Sequence, residues 1–440
     1  MASEVRNFGE LFADPTRNGL TRPKAVRGSG IKMVNMGELF AYPRLRNAPM
    51  DRVPLSDTET KKFLLANGDL LFARQSLVLE GAGKCSIFLH DAEPVTFESH
   101  ITRVRLDPNK GDPQFYFYYL QSHHGRAAIR SIVEQGAGAS GIRGSDLQAL
   151  NVQWRPIEAQ RAIAHILGTL DDKIELNRKM NETLEAMARA IFKSWFVDFD
   201  PVRAKAEGRD PDLPPHLAAL FPDSFEDSEL GEIPEGWRVQ PYLNSVSVLG
   251  GGTPKTSIKE YWDGEIPWFS VVDAPNETEV FVINTEKKIS NAGLENSSTQ
   301  ILPEGVTIIT ARGTVGKIAL VGVPMAMNQS CYGLQDKSSK YGFYNYFAVR
   351  NLVSILQQQA HGSVFDTITR DTLSNVSVIV PPSKTIKKFE ETVKTFFERI
   401  KGNIFQSRTL ASIRDALLPK LLSGETRVKE AEKFVEVLNP

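Results

Sequence analysis

The sequence predicts an α+β protein made of two diverged copies of one module, each a twisted sheet with helices that is followed by a long helix. Three observations support this prediction. A chain of 440 residues exceeds one ordinary core and fits two domains of roughly 150–200 residues. One segment occurs in both halves of the chain and aligns without a gap. Strand-like runs bounded by Gly, Pro or Asn occur with short helical stretches in equivalent places of both copies.

The repeat is clearest where a strand, a proline and a helix follow one another. Residues 146–192 align with residues 371–418 at a fixed offset of 226 residues (373 minus 147). The matched pairs include Leu147 with Leu373, Val152 with Val378, Pro156 with Pro382, Ile174 with Ile400, Asn177 with Asn403, and Leu184 with Leu410. Any two amphipathic helices can be slid into partial register, but the shared strand–Pro–helix order favours a true duplication.

Upstream of these helices the copies agree only in outline. GDLLFAR (68–74) followed by GAGK (81–84) resembles GVTIITAR (305–312) followed by TVGK (314–317). Between the copies, a stretch rich in Pro and acidic residues is typical of a linker. We therefore divide the chain into a first module (1–155), a central helix (156–200), a linker (201–230), a second module (231–380), and a C-terminal helix with its tail (381–440).

Both matched helices are long and carry a narrow apolar stripe. About forty residues at 1.5 Å rise span roughly 60 Å, and a stripe of this width needs a partner to bury it. The simplest way to bury the stripe of each helix is to pair it with the helix of the other copy. The alternative is that each helix packs only on its own module. Asparagines in the stripe cost stability but specify one register. The predicted seam consists of Leu170, Ile174, Asn177, Leu184, Ile191, Ile400, Asn403, Leu410 and Leu417.

Motifs that would make this chain an enzyme are missing or incomplete. A methyltransferase acting on a base amino group needs an Asn/Asp-Pro-Pro-aromatic loop, and neither Pro214-Pro215 nor Pro381-Pro382 fits that pattern. The segment Gly81–Lys84 lacks the leading glycine and the final hydroxyl of a phosphate-binding loop. Two cysteines and seven scattered histidines form no metal-ligand pattern. We therefore expect no catalysis and no cofactor bound by this chain.

Composition restricts the setting in which the protein works. The net charge of −1 provides no global positive field, although a subunit inside a complex needs only local basic patches to bind nucleic acid. Two cysteines, Cys85 and Cys331, cannot build a disulfide framework and suit a reducing compartment. No run approaches the roughly 20 apolar residues of a membrane helix. The expected location is therefore the cytoplasm, away from the membrane.

Small residues and cations occur together in loops of both modules. Loop-borne Arg and Lys neutralise phosphates or bind guanine edges, and Asn and Gln pair with adenine edges. A basic face that is merely solvated is the alternative reading. The residues that we predict to face DNA are Arg22, Lys24, Arg27 and Arg74 in the first copy, and Lys255, Arg312, Lys317, Asn328 and Gln329 in the second.

Several segments together resemble the specificity (S) subunits of Type I restriction–modification systems. They are the lead-in Pro156–Gln160 with LDDKIELN (170–177), IFKSWFVDFDPVRAKAEG (191–208), SELGEIPEGW (228–237) with the nearby GGTPKTS and EYWDGEIPW, and LLPKLLSGE (417–425). The resemblance covers nearly the whole chain. One departure is the opening of the first copy, TRPKAVRGSGIKMVNMG, which lacks the Tyr-Trp and Pro-Trp pairs of the second copy.

The resemblance implies a fold and a set of partners. Each module would be a target recognition domain reading one half of a split site in double-stranded DNA, and the two long helices would pair as an antiparallel coiled coil in a pseudo-two-fold arrangement. Two modification subunits would supply S-adenosylmethionine and adenine-N6 methylation. Restriction subunits would add ATP- and Mg-dependent translocation and cleavage.

Two other function classes remain as rival hypotheses. A coiled-coil scaffold that binds only protein would leave the basic loops solvated and would not shift DNA in a gel. A stand-alone DNA enzyme would transfer methyl groups or nick DNA without partners, and the missing catalytic loops argue against it.

Overall fold

The chain forms two compact units in a computed structural model that describes residues 4–136, 138–275, 279–359, 367–431 and 433. The first unit comprises Met1–Glu175 with Ser407–Pro440, and the second comprises Leu176–Gln406. Each unit holds one α+β module and part of each long helix. The predicted fold class is confirmed. The division between the units falls inside both long helices rather than at their ends.

The first unit contains thirteen strands and five short helices among its described residues. The strands are β1 (Glu4–Asn7), β2 (Arg17–Asn18), β3 (Ile31–Val34), β4 (Arg44–Arg46), β5 (Asp51–Val53), β6 (Leu70–Ala73), β7 (Gln75–Ser76), β8 (Cys85–His90), β9 (Val95–Phe97), β10 (Ile101–Val104), β11 (Glu134–Gln135), β12 (Ser140–Gly141) and β13 (Asn151–Trp154). The helices are α1 (Met36–Ala41), α2 (Asp57–Phe63), α3 (Pro113–Gln121), α4 (His123–Ser131) and α5 (Gly144–Ala149).

The central sheet of the first unit has the order β2-β10-β6-β8-β4, and its inner strands β10, β6 and β8 are buried on both faces. Leu70 and Phe72 of β6 pack into one apolar cluster, while Leu71 and Ala73 pack into another, because successive side chains of a strand point to opposite faces. Smaller sheets, ordered β5-β3-β9, β11-β12-β7 and β1-β13, complete the unit. The strand β6 is the central strand of the five-stranded sheet.

The remaining elements include the two long helices and the second module. The helices are α6 (Ile157–Phe196), α7 (Asp200–Ala206), α8 (Pro215–Ala218), α9 (Asn291–Glu295), α10 (Gly342–Gln359), α11 (Arg370–Ser374) and α12 (Ser383–Ser423). The strands are β14 (Phe225–Ser228), β15 (Gly231–Pro234), β16 (Arg238–Pro241), β17 (Val246–Gly250), β18 (Ile266–Phe269), β19 (Phe281–Val282), β20 (Lys287–Ile289), β21 (Thr307–Thr310), β22 (Ile318–Val321), β23 (Ala326–Met327), β24 (Cys331–Asp336) and β25 (Ser377–Val380).

The sheets of the second unit repeat the topology of the first. The order β17-β24-β21-β22-β19 matches β2-β10-β6-β8-β4, and in both sheets the last pair is parallel while the others are antiparallel. The sheet β20-β18-β23 likewise matches β5-β3-β9, with one antiparallel and one parallel pair. Duplication thus extends to the modules, where the sequences have diverged.

The two long helices run antiparallel within each unit. In the second unit, the Asn177 amide donates to Gln406 Oε1 (2.9 Å), and the Asn403 amide donates to Asn181 Oδ1 (2.8 Å). In the first unit, Arg414 donates to Asp171 (2.6 Å). Apolar seam residues lie in or against the two main clusters: Leu170, Ile174, Leu410 and Leu417 in the first unit, and Leu184, Ile191 and Ile400 in the second. The helices therefore pair with each other and also pack on the modules.

The segment 201–230, which composition suggests to be a linker, is packed into the second unit. It contains α7, α8 and β14, and it buries Val202 and Phe221 in the main cluster of that unit. Phe221 lies against Trp195 of α6, with ring centroids 5.2 Å apart. Apolar residues spaced among the prolines and acids supply this burial, which composition alone does not reveal.

Candidate nucleic-acid interface

Three loops of the second unit meet at one place, and we call residues 250–256, 311–317 and 327–330 the second three-loop surface. The Gly252 N–H donates to the Met327 carbonyl (3.0 Å), and the Ala311 N–H donates to the Ser330 carbonyl (2.8 Å). A Cβ atom on Gly251 would lie 2.0 Å from the Asn328 carbonyl oxygen, so only glycine allows this approach. The loop that carries Asn328 and Gln329 is thus hydrogen-bonded to both of the others.

The second three-loop surface is positively charged. Lys255, Arg312 and Lys317 are exposed, and these loops contain no acidic residue. Among the described residues, none of the three cations forms an ion pair. Asn328 Oδ1 accepts the Ser330 N–H (3.0 Å), and Gln329 accepts the Thr253 hydroxyl. Unneutralised cations beside oriented amides are suited to a polyanion with hydrogen-bonding edges.

The loop 311–317 is held in a tight turn. Gly316 has a φ of +85°, its N–H donates to the Thr310 carbonyl (2.9 Å), and the Lys317 N–H donates to Thr310 Oγ1 (2.9 Å). Lys317 lines a cleft of about 560 Å³ together with Glu279, Tyr346, Arg350 and Gln357. Lys317 therefore faces a cleft beside α10, a different setting from that of Lys255 and Arg312.

The first unit has the same arrangement, and we call residues 18–24, 74–84 and 97–100 the first three-loop surface. The Leu20 N–H donates to the Phe97 carbonyl (2.9 Å), and the Arg74 N–H donates to the His100 carbonyl (2.8 Å). A Cβ on Gly19 would lie 2.1 Å from the Phe97 carbonyl oxygen. The two hydrogen bonds correspond to those of the second surface, and in both copies the glycine lies against the backbone of the facing loop, so the backbone frame is conserved between the copies.

The backbone hydrogen bonds of the two surfaces change the sequence alignment that places Arg74 opposite Arg312. Arg74 and Ala311 donate equivalent backbone bonds, and Ala73 matches Thr310, since each donates to the carbonyl of the lysine that closes its loop. Ala311 therefore takes the place of Arg74, and Arg312 lies one residue further along. The equivalence of GAGK and TVGK is supported, because Gly83 and Gly316 both have positive φ.

Two arginines of the first copy are engaged inside their own unit. Arg22 Nη2 lies 2.6 Å from Glu59, and Arg27 Nη1 lies 3.0 Å from Asp51. Hydrogen bonds from the Ser56 N–H and from Arg22 lower the pKa of Glu59 to about 2. Arg22 and Arg27 hold the loop together, whereas Lys24 is exposed. Their assignment to DNA remains a prediction.

Sequence reasoning missed two residues on the first surface. His100 Nδ1 lies 3.1 Å from Gln75 Oε1, and both residues are next to Arg74. No spacing in the sequence links positions 75 and 100. Only the pairing of β6 with β10 brings them together.

We also searched the described residues for metal sites, reactive cysteines and membrane-spanning helices. Among the described residues, no group of His, Cys, Asp or Glu could hold a metal ion. Burial raises the pKa of the Cys85 thiol and raises that of Cys331 to about 12, so both thiols stay protonated and poorly nucleophilic at neutral pH. No helix in the described part of the chain is long and apolar enough to cross a membrane.

Comparison with protein families identifies both modules. The model of the Type I restriction modification DNA specificity domain matches residues 27–186 and again residues 234–406. The chain belongs to this family. Each specificity domain match contains most of one module and part of the long helix that follows it.

Relatives of this specificity-domain chain are similar along most of their length. The Type I restriction enzyme HindI specificity subunit of Haemophilus influenzae is 27% identical over 409 residues, covering 83% of this chain and 88% of the relative. The MjaIX specificity subunit of Methanocaldococcus jannaschii is 27% identical over 431 residues, covering 97% and 93%. The crystal structure of a Type I restriction–modification S subunit from M. genitalium has the same fold, with a TM-score of 0.56 at 16% identity and 96% of each chain covered.

Proposed function

We propose that this chain is the DNA-recognition subunit of a Type I restriction–modification complex and that it reads a bipartite site, one half with each three-loop surface. The observation that carries the proposal is the pair of surfaces itself. Their backbone hydrogen bonds correspond, but their side chains differ. One frame that presents two sets of side chains is suited to two different half-sites.

The charge distribution is consistent with this proposal. The net charge is −1, yet Lys255, Arg312 and Lys317 lie on loops without acidic residues. Phosphate contacts position a protein on the duplex, while amides and guanidinium groups read base edges. The local excess of cations supplies the first role, and Asn328 with Gln329 supplies donors and acceptors for the second.

The same proposal includes partners and cofactors. The relatives are named as specificity subunits of Type I restriction enzymes. We infer that two modification subunits and restriction subunits assemble on this chain and that they carry S-adenosylmethionine, ATP and Mg. The chain itself would be non-catalytic and would act in the cytoplasm, where the DNA is.

Methylome sequencing tests the proposal. The chain is co-expressed with its cognate modification subunit in cells that lack other adenine methyltransferases. A split adenine motif is expected, and exchanging residues 231–380 for the corresponding module of another S subunit should change one half only. A continuous motif, or no methylation by an assembled complex, would overturn the proposal.

A scaffold that binds only protein is the rival function, and the ion pairs of Arg22 and Arg27 are the observation in its favour. A gel shift of the assembled complex on the methylated motif separates the two functions. If Lys255→Ala and Arg312→Ala leave DNA binding unchanged at every salt concentration, the scaffold function is favoured.

A further inference from the structure

An apolar loop tip projects from the first three-loop surface and has no counterpart in the second. Arg74 and Lys84 are separated by ten positions (84 minus 74), while their equivalents Ala311 and Lys317 are separated by six (317 minus 311). The extra residues include Leu77, Val78 and Leu79, whose exposed fractions are 89%, 60% and 41%. We call residues 77–79 the apolar tip.

The stem below the apolar tip is well anchored. The Ala73 N–H donates to the Lys84 carbonyl (2.9 Å), and the Gly83 N–H donates to the Ala73 carbonyl (2.8 Å). On the other side β7 pairs with β12, and the Val78 N–H donates to Ser76 Oγ (3.2 Å). Because its base is hydrogen-bonded on both sides, the tip is pre-organised in an exposed position, which lowers the entropic cost of binding.

The neighbours of the apolar tip are polar groups of the types that read base edges. Arg74 precedes the tip, and Gln75 lies 3.1 Å from His100. Guanidinium groups pair with guanine, and amides pair with adenine, in the major groove. Gln75 and Glu80, which flank residues 76–79, are exposed and polar, so the apolar patch is small compared with the apolar core of a stable protein–protein interface. Three apolar side chains within a polar reading surface would be buried by contact with an apolar group on DNA.

Resting on the proposed function, we propose that Leu77 contacts the C5-methyl group of a thymine in the half-site read by the first unit. Among the edges that base pairs present in the major groove, this methyl is the apolar group. Contact with the methyl removes the apolar surface of Leu77 from water, and this burial favours binding. The apolar tip thus acts as a specificity determinant for thymine against cytosine, whose C5 carries hydrogen.

Deoxyuridine substitution tests this contact, because deoxyuridine pairs like thymine but lacks the C5-methyl. The complex of the full chain with its modification subunits is titrated with duplexes of the motif found by methylome sequencing. Each thymine is replaced singly by deoxyuridine. We expect one replacement, in one half-site, to weaken binding about fourfold, the factor associated with one buried methyl group.

The variant Leu77→Ala should bind the thymine duplex several-fold more weakly and should no longer distinguish thymine from deoxyuridine at that position. Leu230→Ala serves as the matched control, because Leu230 is also exposed (46%) but lies in the turn between β14 and β15. The control should keep the full difference between the two duplexes.

Three results would overturn the thymine contact while leaving the proposed function standing. They are a half-site without thymine, equal sensitivity of wild type and Leu77→Ala to every deoxyuridine, and weaker subunit assembly in Leu77→Ala with an unchanged base preference of the complexes that do form. If the assembled wild-type complex does not bind DNA, both the thymine contact and the proposed function are overturned.

Discussion

The side-chain amide of Asn403 donates a hydrogen bond to Oδ1 of Asn181 (2.8 Å) between the two long helices of the second unit. Asn403 is 2% exposed, and its neighbours along the helix include Ile400, which is 1% exposed. Asn403 is buried and Asn181 is half-buried, so their bond is satisfied in one register, and a shift of either helix would leave the buried amide of Asn403 without this partner. This hydrogen bond therefore helps to define how the two helices align.

Replacing one member of the pair should be more harmful than replacing both. Asn403→Leu leaves Oδ1 of Asn181 without this donor, and we expect the free energy of unfolding to fall by about 1–3 kcal/mol. The double variant Asn181→Leu/Asn403→Leu should recover most of this loss, since two leucines suit an apolar seam. Urea unfolding measures both effects. Lys394→Ala, an exposed change on the same helix, is the control; equal losses in the single and double variants would contradict the role assigned to the pair.

Glu390 should make stability depend on pH. Its carboxylate accepts the N–H groups of Phe343 and Tyr344 at the start of α10, both at 2.9 Å, while burial raises its pKa to about 7. Between the unfolded value of about 4.5 and this value, the folded state binds more protons than the unfolded state. Stability therefore falls as pH rises through this window, by about 3 kcal/mol.

Chemical unfolding of the wild type and of Glu390→Gln at pH 5 and pH 8 measures this contribution. The amide cannot titrate, so the variant should lose this part of the pH dependence. The control variant Glu398→Gln, at an exposed position further along α12, should keep the full pH dependence of the wild type. A wild-type chain that is more stable at pH 8 than at pH 5, with the difference removed by Glu390→Gln, would show that the sign is wrong.

Gly251 should be intolerant of a side chain. A Cβ at this position would lie 2.0 Å from the Asn328 carbonyl oxygen, so Gly251→Ala must separate two loops of the second three-loop surface. We expect DNA binding by the assembled complex to weaken at least about tenfold, because loop positions on a reading surface determine its contacts. Gly250→Ala is a close control, since its Cβ would meet no atom within 4 Å. Equal binding by the two variants would contradict the close approach.

The cations of the second three-loop surface should contribute to the salt dependence of DNA binding. Each phosphate contact that is lost lowers the slope of log K against log salt by about 0.9. Arg312→Ala and Lys255→Ala should each reduce the slope by about one and weaken binding at low salt. Fluorescence anisotropy over a salt series measures the slope. Lys394→Ala, whose lysine lies 3.8 Å from Glu398 on α12, should leave it unchanged.

Much of the architecture is visible in the sequence because it depends on local pattern. The offset that aligns Asn177 with Asn403 predicts the duplication, and the narrow apolar stripe predicts the two long helices. Burial of the segment 201–230 is not predictable in this way, because Phe221 finds its partner Trp195 in another element. The candidate site also has features that local pattern does not predict, since Gln75 and His100 meet only through strand pairing.

The sequence by itself determined the repeat, the α+β class, the family and the presence of basic loops, since these follow from residue order and type. Only the tertiary structure decided which loops meet, that Ala311 rather than Arg312 occupies the place of Arg74, and that Arg22 and Arg27 pair with carboxylates. The physical reason is that a cation's availability depends on the neighbours that folding brings within hydrogen-bonding distance. Those neighbours come from distant parts of the chain: Glu59 lies thirty-seven positions from Arg22.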